Sequence, residues 1–179
     1  MDNTLMTIIG IFLAALLMFV VPLMAISERN DDIAQSVVQT ATAEFVETIS
    51  NAGLIRPSDY EGYLQKLAAT GNTFDVEIEV QHLDENFGKK NAATSGELIG
   101  ENERYSTFTT EILNSMYENN SEPKNYVLKK GDNVIITAKN NNKTIAQTLR
   151  TVVYRITGQG TYQIGASSSS MVVNNGVNK

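Results

Sequence analysis

Every residue from Asn3 to Ser27 is uncharged, in the run NTLMTIIGIFLAALLMFVVPLMAIS between Asp2 and Glu28. At about 1.5 Å rise per residue, a helix of that run is roughly 35 Å long, enough to cross a hydrocarbon core of about 30 Å with some tilt. Leu, Ile, Phe, Met and Val cover every side of it, whereas a helix buried in a soluble core is apolar on one stripe. A secretory signal would show positive charge before a shorter apolar core, and Leu23-Met24-Ala25 is a poor cleavage site. The run therefore reads as a transmembrane anchor over 1–30. Gly10 and Pro22 are compatible with a spanning helix, and Pro22 predicts a kink near its exit.

Only one domain's worth of chain remains. The 179 residues leave about 150 after the anchor, enough to bury a single core. A net charge of −6 argues against nucleic acid as a partner, which would require a basic patch. Cysteine is absent, so disulfides, thiolate metal sites and cysteine nucleophiles are excluded. Only Arg29 follows the span closely, and Glu28, Asp31 and Asp32 offset it, so charge decides orientation weakly. The reading adopted is a single-pass protein of the cell membrane with its C-terminal domain extracellular.

Beyond the anchor, Ile33, Val37, Ala41, Phe45, Ile49 and Ala52 recur at three- and four-residue spacing, widened by Val38 and Val46. No Gly or Pro interrupts Glu28 to Ala52, so one helix of about 70 Å is expected from Leu5 to Ala52. Its outer part, 31–53, is an amphipathic stalk in which Val37, Phe45 and Ile49 pack on the domain. Gly53 ends it, and Ser58 and Glu61 have capping-box spacing for a second helix. Phe74 to Gln81 alternates with period two and predicts a strand with Phe74, Val76, Ile78 and Val80 inward. Asp84 to Gly100 reads as a long loop. Glu101 to Asn119 regains helical spacing through Tyr105, Phe108, Ile112 and Met116. Tyr126–Leu128 and Val134–Ala138 flank Lys129-Lys130-Gly131-Asp132 as an expected hairpin. Lys143 to Ile156 predicts a last helix with Ile145 on its apolar face, and Tyr162 to Val173 a final strand at a sheet edge. The fold class is α+β: a long N-terminal helix, then a domain over 54–174 with about four strands and three helices, and a tail at 175–179.

Chemistry-bearing patterns are sparse. Asp75, Glu77 and Glu79 alternate along a strand, about 7 Å apart, and read as a solvated sheet face instead of a metal site. His82 is in phase with the apolar side of that strand and reads as a strand-end residue, because a metal needs more partners than the neighbourhood offers. Thr157-Gly158-Gln159-Gly160 follows a helix, whereas a phosphate-binding loop opens one. No catalytic, cofactor or metal residues are assigned, and a non-enzymatic protein without cofactor is expected.

An apolar helix continued by an amphipathic one and carrying a small domain has the outline of a pilin or pseudopilin. The chain resembles the small membrane-anchored pseudopilin-like proteins of Gram-positive bacteria that look like minor pilins of the tight-adherence pilus group. The resemblance rests on the anchor, IAQSVVQTATAEFVETISNAGLI, DYEGYLQKLAATGNTFDVEIEV and LKKGDNVIITAKNNNKTIAQTLRTVVYRITGQGTYQI. It implies a lollipop-shaped structural subunit of a pilus-like or secretion-related envelope assembly, with the membrane and other subunits or its own copies as partners. Prepilins of the type IV group are cut after a glycine and carry a glutamate five residues on; after Gly10 this chain reads Ile11-Phe12-Leu13-Ala14-Ala15, without that glutamate. Gly10, Ala14 and Ala15 are the small positions at which helices could approach within a bilayer, Gly10 and Ala14 in small-xxx-small spacing. The alternative is a single-pass binding module that meets a ligand through Asp84 to Gly100.

Overall fold

The computed structural model describes residues 2–83, 104–117, 122–149, 151 and 163–177. One helix, α1 (Asp2–Ala52), runs through the apolar segment and the stalk with Pro22 inside it. It is followed by β1 (Leu54–Ile55), α2 (Pro57–Ala68), β2 (Phe74–Leu83), β3 (Arg104–Phe108), α3 (Thr109–Tyr117), β4 (Tyr126–Val127), β5 (Asn133–Asn140) and β6 (Gly165–Met171). The architecture is α+β, a long apolar helix leading into a small sheet-and-helix domain. The expected loop at 84–100 and the end of the expected last helix, 152–156, lie outside the described residues.

Four strands form an antiparallel sheet in the order β3-β2-β5-β6. Its register places Val76, Ile78 and Val80 opposite Ala138, Ile136 and Val134, and those opposite Ala166, Ser168 and Ser170. Alternation sends this set to one face, where Ile78, Val80, Val134, Ile136 and Ala138 are buried. α1 crosses that face over β6 and β5, and α2 packs beside α1. Small side chains at Ala166, Ser168 and Ser170 let a helix lie close to an edge strand. The Ser-rich stretch, Ser167 to Ser170, is thus the outermost strand of the sheet.

The buried face of α1 is rotated from the expected one. Ala34, Val38, Ala41, Phe45, Val46 and Ile49 are buried, whereas Ile33 and Val37 are 55% and 40% exposed. Val37 is therefore corrected: it lies outside the core, at the margin of the buried face beside Lys66 and Ala69 of α2, while Thr42 shares the inward face with Val38, Phe45 and Ile49. The Thr42 hydroxyl lies 2.9 Å from the Tyr63 hydroxyl and donates to the Val38 carbonyl at 2.7 Å, so a polar residue is at home there. Phe45 stacks on Tyr63 with centroids 4.6 Å apart and meets Tyr60 at 6.4 Å.

Other expectations change with it. Helical spacing at Tyr105 and Phe108 belongs instead to β3, which pairs with the far end of β2 so that Tyr105 faces His82; only Ile112 and Met116 are buried on α3. The aromatic and hydroxyl-rich Tyr105-Ser106-Thr107-Phe108 suits a strand, and β2 extends to Leu83 to receive it. The hairpin is not formed: β4 pairs with β1, since β5 already has β2 and β6 on its two sides. Gly131, at φ 96°, still makes the turn into β5. Arg56 is the N-cap of α2, with no side-chain cap bond, because Pro57 at the first helical position sets the start by its fixed φ. Residues 145–149 are helical with Ile145 exposed and Ala146 buried, so the inward side of this segment is one residue on from the expected one.

Of the expected tail at 175–179, Asn175 and Gly176 are bonded to the fold, and residues 178–179 lie outside the described residues. Gly53, at φ 68°, ends α1, and its carbonyl accepts from Leu128 N–H at 2.9 Å. Gly176 N–H donates to the Leu128 carbonyl at 3.1 Å, and Asn174 Nδ2 donates to the Asn51 carbonyl at 2.9 Å. A Cβ on Gly53 would lie 2.6 Å from Gly176 N and close on the Asn174 carbonyl oxygen.

Two substitutions test this packing, read by thermal unfolding of the full chain in detergent micelles. Phe45→Ala is expected to destabilise the domain by about 3 kcal/mol or more, from lost transfer energy and a cavity beside Tyr63. Gly53→Ala is expected to cost more than about 1 kcal/mol, since it adds a methyl at positive φ against backbone. An unchanged transition in either variant contradicts the packing described.

Candidate functional site

Among the described residues, the broadest surface that the fold leaves uncovered is that of the apolar half of α1. It is long and apolar enough to cross a membrane by length and composition, and none of its most apolar stretch is buried. Gly10, Ala14, Ala15 and Pro22 all lie on this exposed half. A Cβ added at Gly10 meets nothing within 4 Å. At 100° per residue, Gly10 and Ala14 share one side of the helix and Ala15 lies on another. Phe45 and Ile49, at 5% and 0% exposure, belong to the core.

Just above the apolar half, the domain is bound to α1 by a polar lock. Thr144 Oγ1 donates to the buried Asp31 carboxylate at 2.8 Å and accepts from Gln147 N–H at 3.1 Å. Gln147 Oε1 in return accepts from Thr144 N–H at 3.2 Å, a reciprocal capping box. The Thr-x-x-Gln spacing was present in the sequence as a signal for this cap. A second tie joins Gln35 to the edge strand: its amide donates to the Gly165 carbonyl at 2.6 Å and accepts from Gly165 N–H at 2.9 Å.

Chemistry-bearing side chains converge at the other end of the sheet. His82, buried at the end of β2, places Nδ1 2.9 Å from Asp132 Oδ2 and Nε2 3.1 Å from the Tyr126 hydroxyl. Asp132 is 1% exposed, and the same oxygen accepts from Lys129 N–H at 2.8 Å. Tyr105 covers the imidazole with centroids 5.0 Å apart. Burial pushes the Tyr126 phenol above its ordinary range, against the hydrogen bond from Thr107 and helped by the nearby Asp132 charge. The imidazole thus bridges the two, with Nδ1 facing the Asp132 carboxylate and Nε2 facing the Tyr126 hydroxyl. A carboxylate, an imidazole and a hydroxyl in line have the outline of a nucleophile relay, but the three lie in separate parts of the chain and bond to each other across them. The arrangement instead fastens the end of β2 to β4 and to the turn before β5. Reading His82 as a strand-end residue was right about position and missed these partners, which lie 44 and 50 residues away.

The opposite sheet face is open. Glu79 accepts from Ser106 at 2.7 Å and from Gln81 at 3.1 Å, and these bonds, that from Gln81 foremost, hold its carboxyl below the usual range. Glu77 pairs with Lys139 at 3.2 Å. Among the described residues no group of three or more His, Cys, Asp and Glu could hold a metal ion. A groove of about 530 Å³ runs between α1 and α2 over Phe45, Gly62 and Tyr63, with the Lys66–Glu44 pair at 2.7 Å on its rim. Comparison with family models, curated proteins and solved structures returns no match.

His82→Leu is expected to strand the buried Asp132 carboxylate and lower stability by about 2–3 kcal/mol, whereas Glu77→Gln, on the open face, should change it by less than about 0.5 kcal/mol. Chemical denaturation of the full chain in micelles measures both. Equal effects would mean that the buried network carries no special weight.

Proposed function

We propose that this chain is a non-enzymatic, membrane-anchored structural subunit of a pilus-like or secretion-related cell-envelope assembly, resembling a minor pilin or pseudopilin. The observation that carries this reading is the continuity of α1: the exposed apolar half and the core-forming half are one helix, without a linker between them. A tether for an independent binding domain has no need of such continuity, whereas a subunit that packs against neighbours through its helix must hold its domain at a set position on that helix. In this reading the apolar half lies in the cell membrane, the domain faces outward, and neighbouring subunits are met laterally. The buried His82 network and the salt-bridged open sheet face agree with a structural role, since their polar groups are engaged with each other.

Two measurements test it. Protease added to intact protoplasts is expected to digest the domain and leave a fragment of the size of the anchor; protection until lysis places the domain inside and removes the reading. In the parent membrane, a chain carrying both Ile11→Cys and Leu13→Cys is expected to form a crosslinked ladder of many subunits, which Gly10→Leu with Ala14→Leu should abolish by blocking close helix approach. Absence of the ladder in the parent favours the simple tether.

A further inference from the structure

Above its apolar half, α1 buries one flank against its own domain and leaves the adjoining strip exposed, with Asn30, Val37 and Thr40 on the open side of grooves that the domain borders. Ser27, Asp31, Ala34 and Val38 are buried, while Ile26, Asn30, Ile33, Val37 and Thr40 are exposed, Ile26 by 60%. The exposed set is spaced four, three, four and three, the alternation of a coiled-coil seam. At 100° per residue it occupies a strip about 80° wide, and the alternation runs back through Leu23, Phe19, Leu16 and Phe12. Ile33 and Val37 are 55% and 40% exposed, so neither belongs to the domain's core. Every position of the strip is uncharged. Glu28 and Asp32 fall on the far side of the helix, and the first carboxylate in line, Glu44, is held by Lys66 at 2.7 Å and ends the strip.

We infer that this flank is the seat of the same flank of a second copy, forming a parallel pair of helices with Asn30 opposite Asn30. The inference rests on the anchored reading above and on no other part of it. Two chains held by the same apolar segment in one bilayer are parallel and level, so each residue of the strip meets its own counterpart. A neutral strip tolerates that symmetry, because no like charges are brought together, whereas a charged partner would find nothing to pair with. Ile33 and Val37 then cover each other, and the Asn30 amides bond across the seam. One asparagine among apolar seam positions fixes register and a two-stranded state at some cost in stability. The strip lies on the side of α1 roughly opposite Gly10 and Ala14, so pairing through it leaves that face free for other contacts.

The chain has no cysteine of its own, so single substitutions report proximity without background. Full-length chains carrying Ile33→Cys or Val37→Cys, in liposomes under mild oxidant, are expected to give disulfide-linked dimers at least about tenfold more efficiently than Gln39→Cys, which is exposed on the far side. Adding Ile33→Asp to Val37→Cys should remove the dimer while leaving the thermal transition of the domain in place, and Asn30→Leu should add species larger than dimers. Equal crosslinking at 33, 37 and 39, or none at 33 and 37, overturns the inference. A ladder from Ile11→Cys with Leu13→Cys but silence at 33 and 37 defeats the pair and keeps the assembly. Dimers at 33 and 37 without any ladder keep the pair and defeat the assembly.

Discussion

The domain depends on the burial of one face of α1 against the sheet. The core side of β5 and β6 is covered by that helix, and β6 contributes mostly alanine and serine, which bury little apolar surface of their own. Val38, Phe45, Val46 and Ile49 supply it from the helix side. At about 1.5–3 kcal/mol for each fully buried side chain, these residues contribute on the order of 6–12 kcal/mol, comparable to the whole stability of a small domain. A sheet so poor in large residues at one edge does not stand without its helix. The long helix is accordingly a component of the core and not an appendage to it.

Polar contacts decide where that helix sits. Hydrophobic burial is non-directional, and a helix on a sheet can slide by a turn at modest cost. Gln35 on Gly165 and Asp31 on Thr144 remove that freedom, since a shift of one turn leaves a buried carboxylate and an edge amide pair without partners. At the far end, Gly53 and Gly176 approach so closely that side chains are excluded from both. Axial position is thus fixed at three heights along the helix.

What could be read from sequence followed from local pattern. The uncharged run, the unbroken helix through Ala52 and the strict alternation of Phe74 to Gln81 are all local signals, and each appears in the fold with its expected type. Failures arise where a distant partner decides. Tyr105 and Phe108 fit a helical stripe equally well until β2 offers an edge to pair with, and Tyr126–Val127 reads as part of a hairpin until Leu54–Ile55 is found beside it. A count of apolar residues puts Val37 inward, and only the packing shows that the buried face is centred on Val38 and takes in Thr42, whose hydroxyl meets that of Tyr63. The same blindness hid the site: His82, Asp132 and Tyr126 carry no shared motif, and only the sheet topology brings them together.

The contacts that make the core join elements far apart in sequence, α1 and β6, and this orders events during synthesis. More than a hundred residues separate the end of α1 from β6, so at about 5–20 residues per second the ribosome takes several seconds or longer to deliver that strand. For that interval the inward face of α1 is complete but uncovered, with Val38, Phe45 and Ile49 presented to the surroundings beside an already apolar segment. Long-range closure of this kind is slow and exposes apolar surface while it waits. The nascent chain thus passes through a stage in which α1 is a finished helix apolar over most of its length, and only the arrival of β6 hides the half that will belong to the domain.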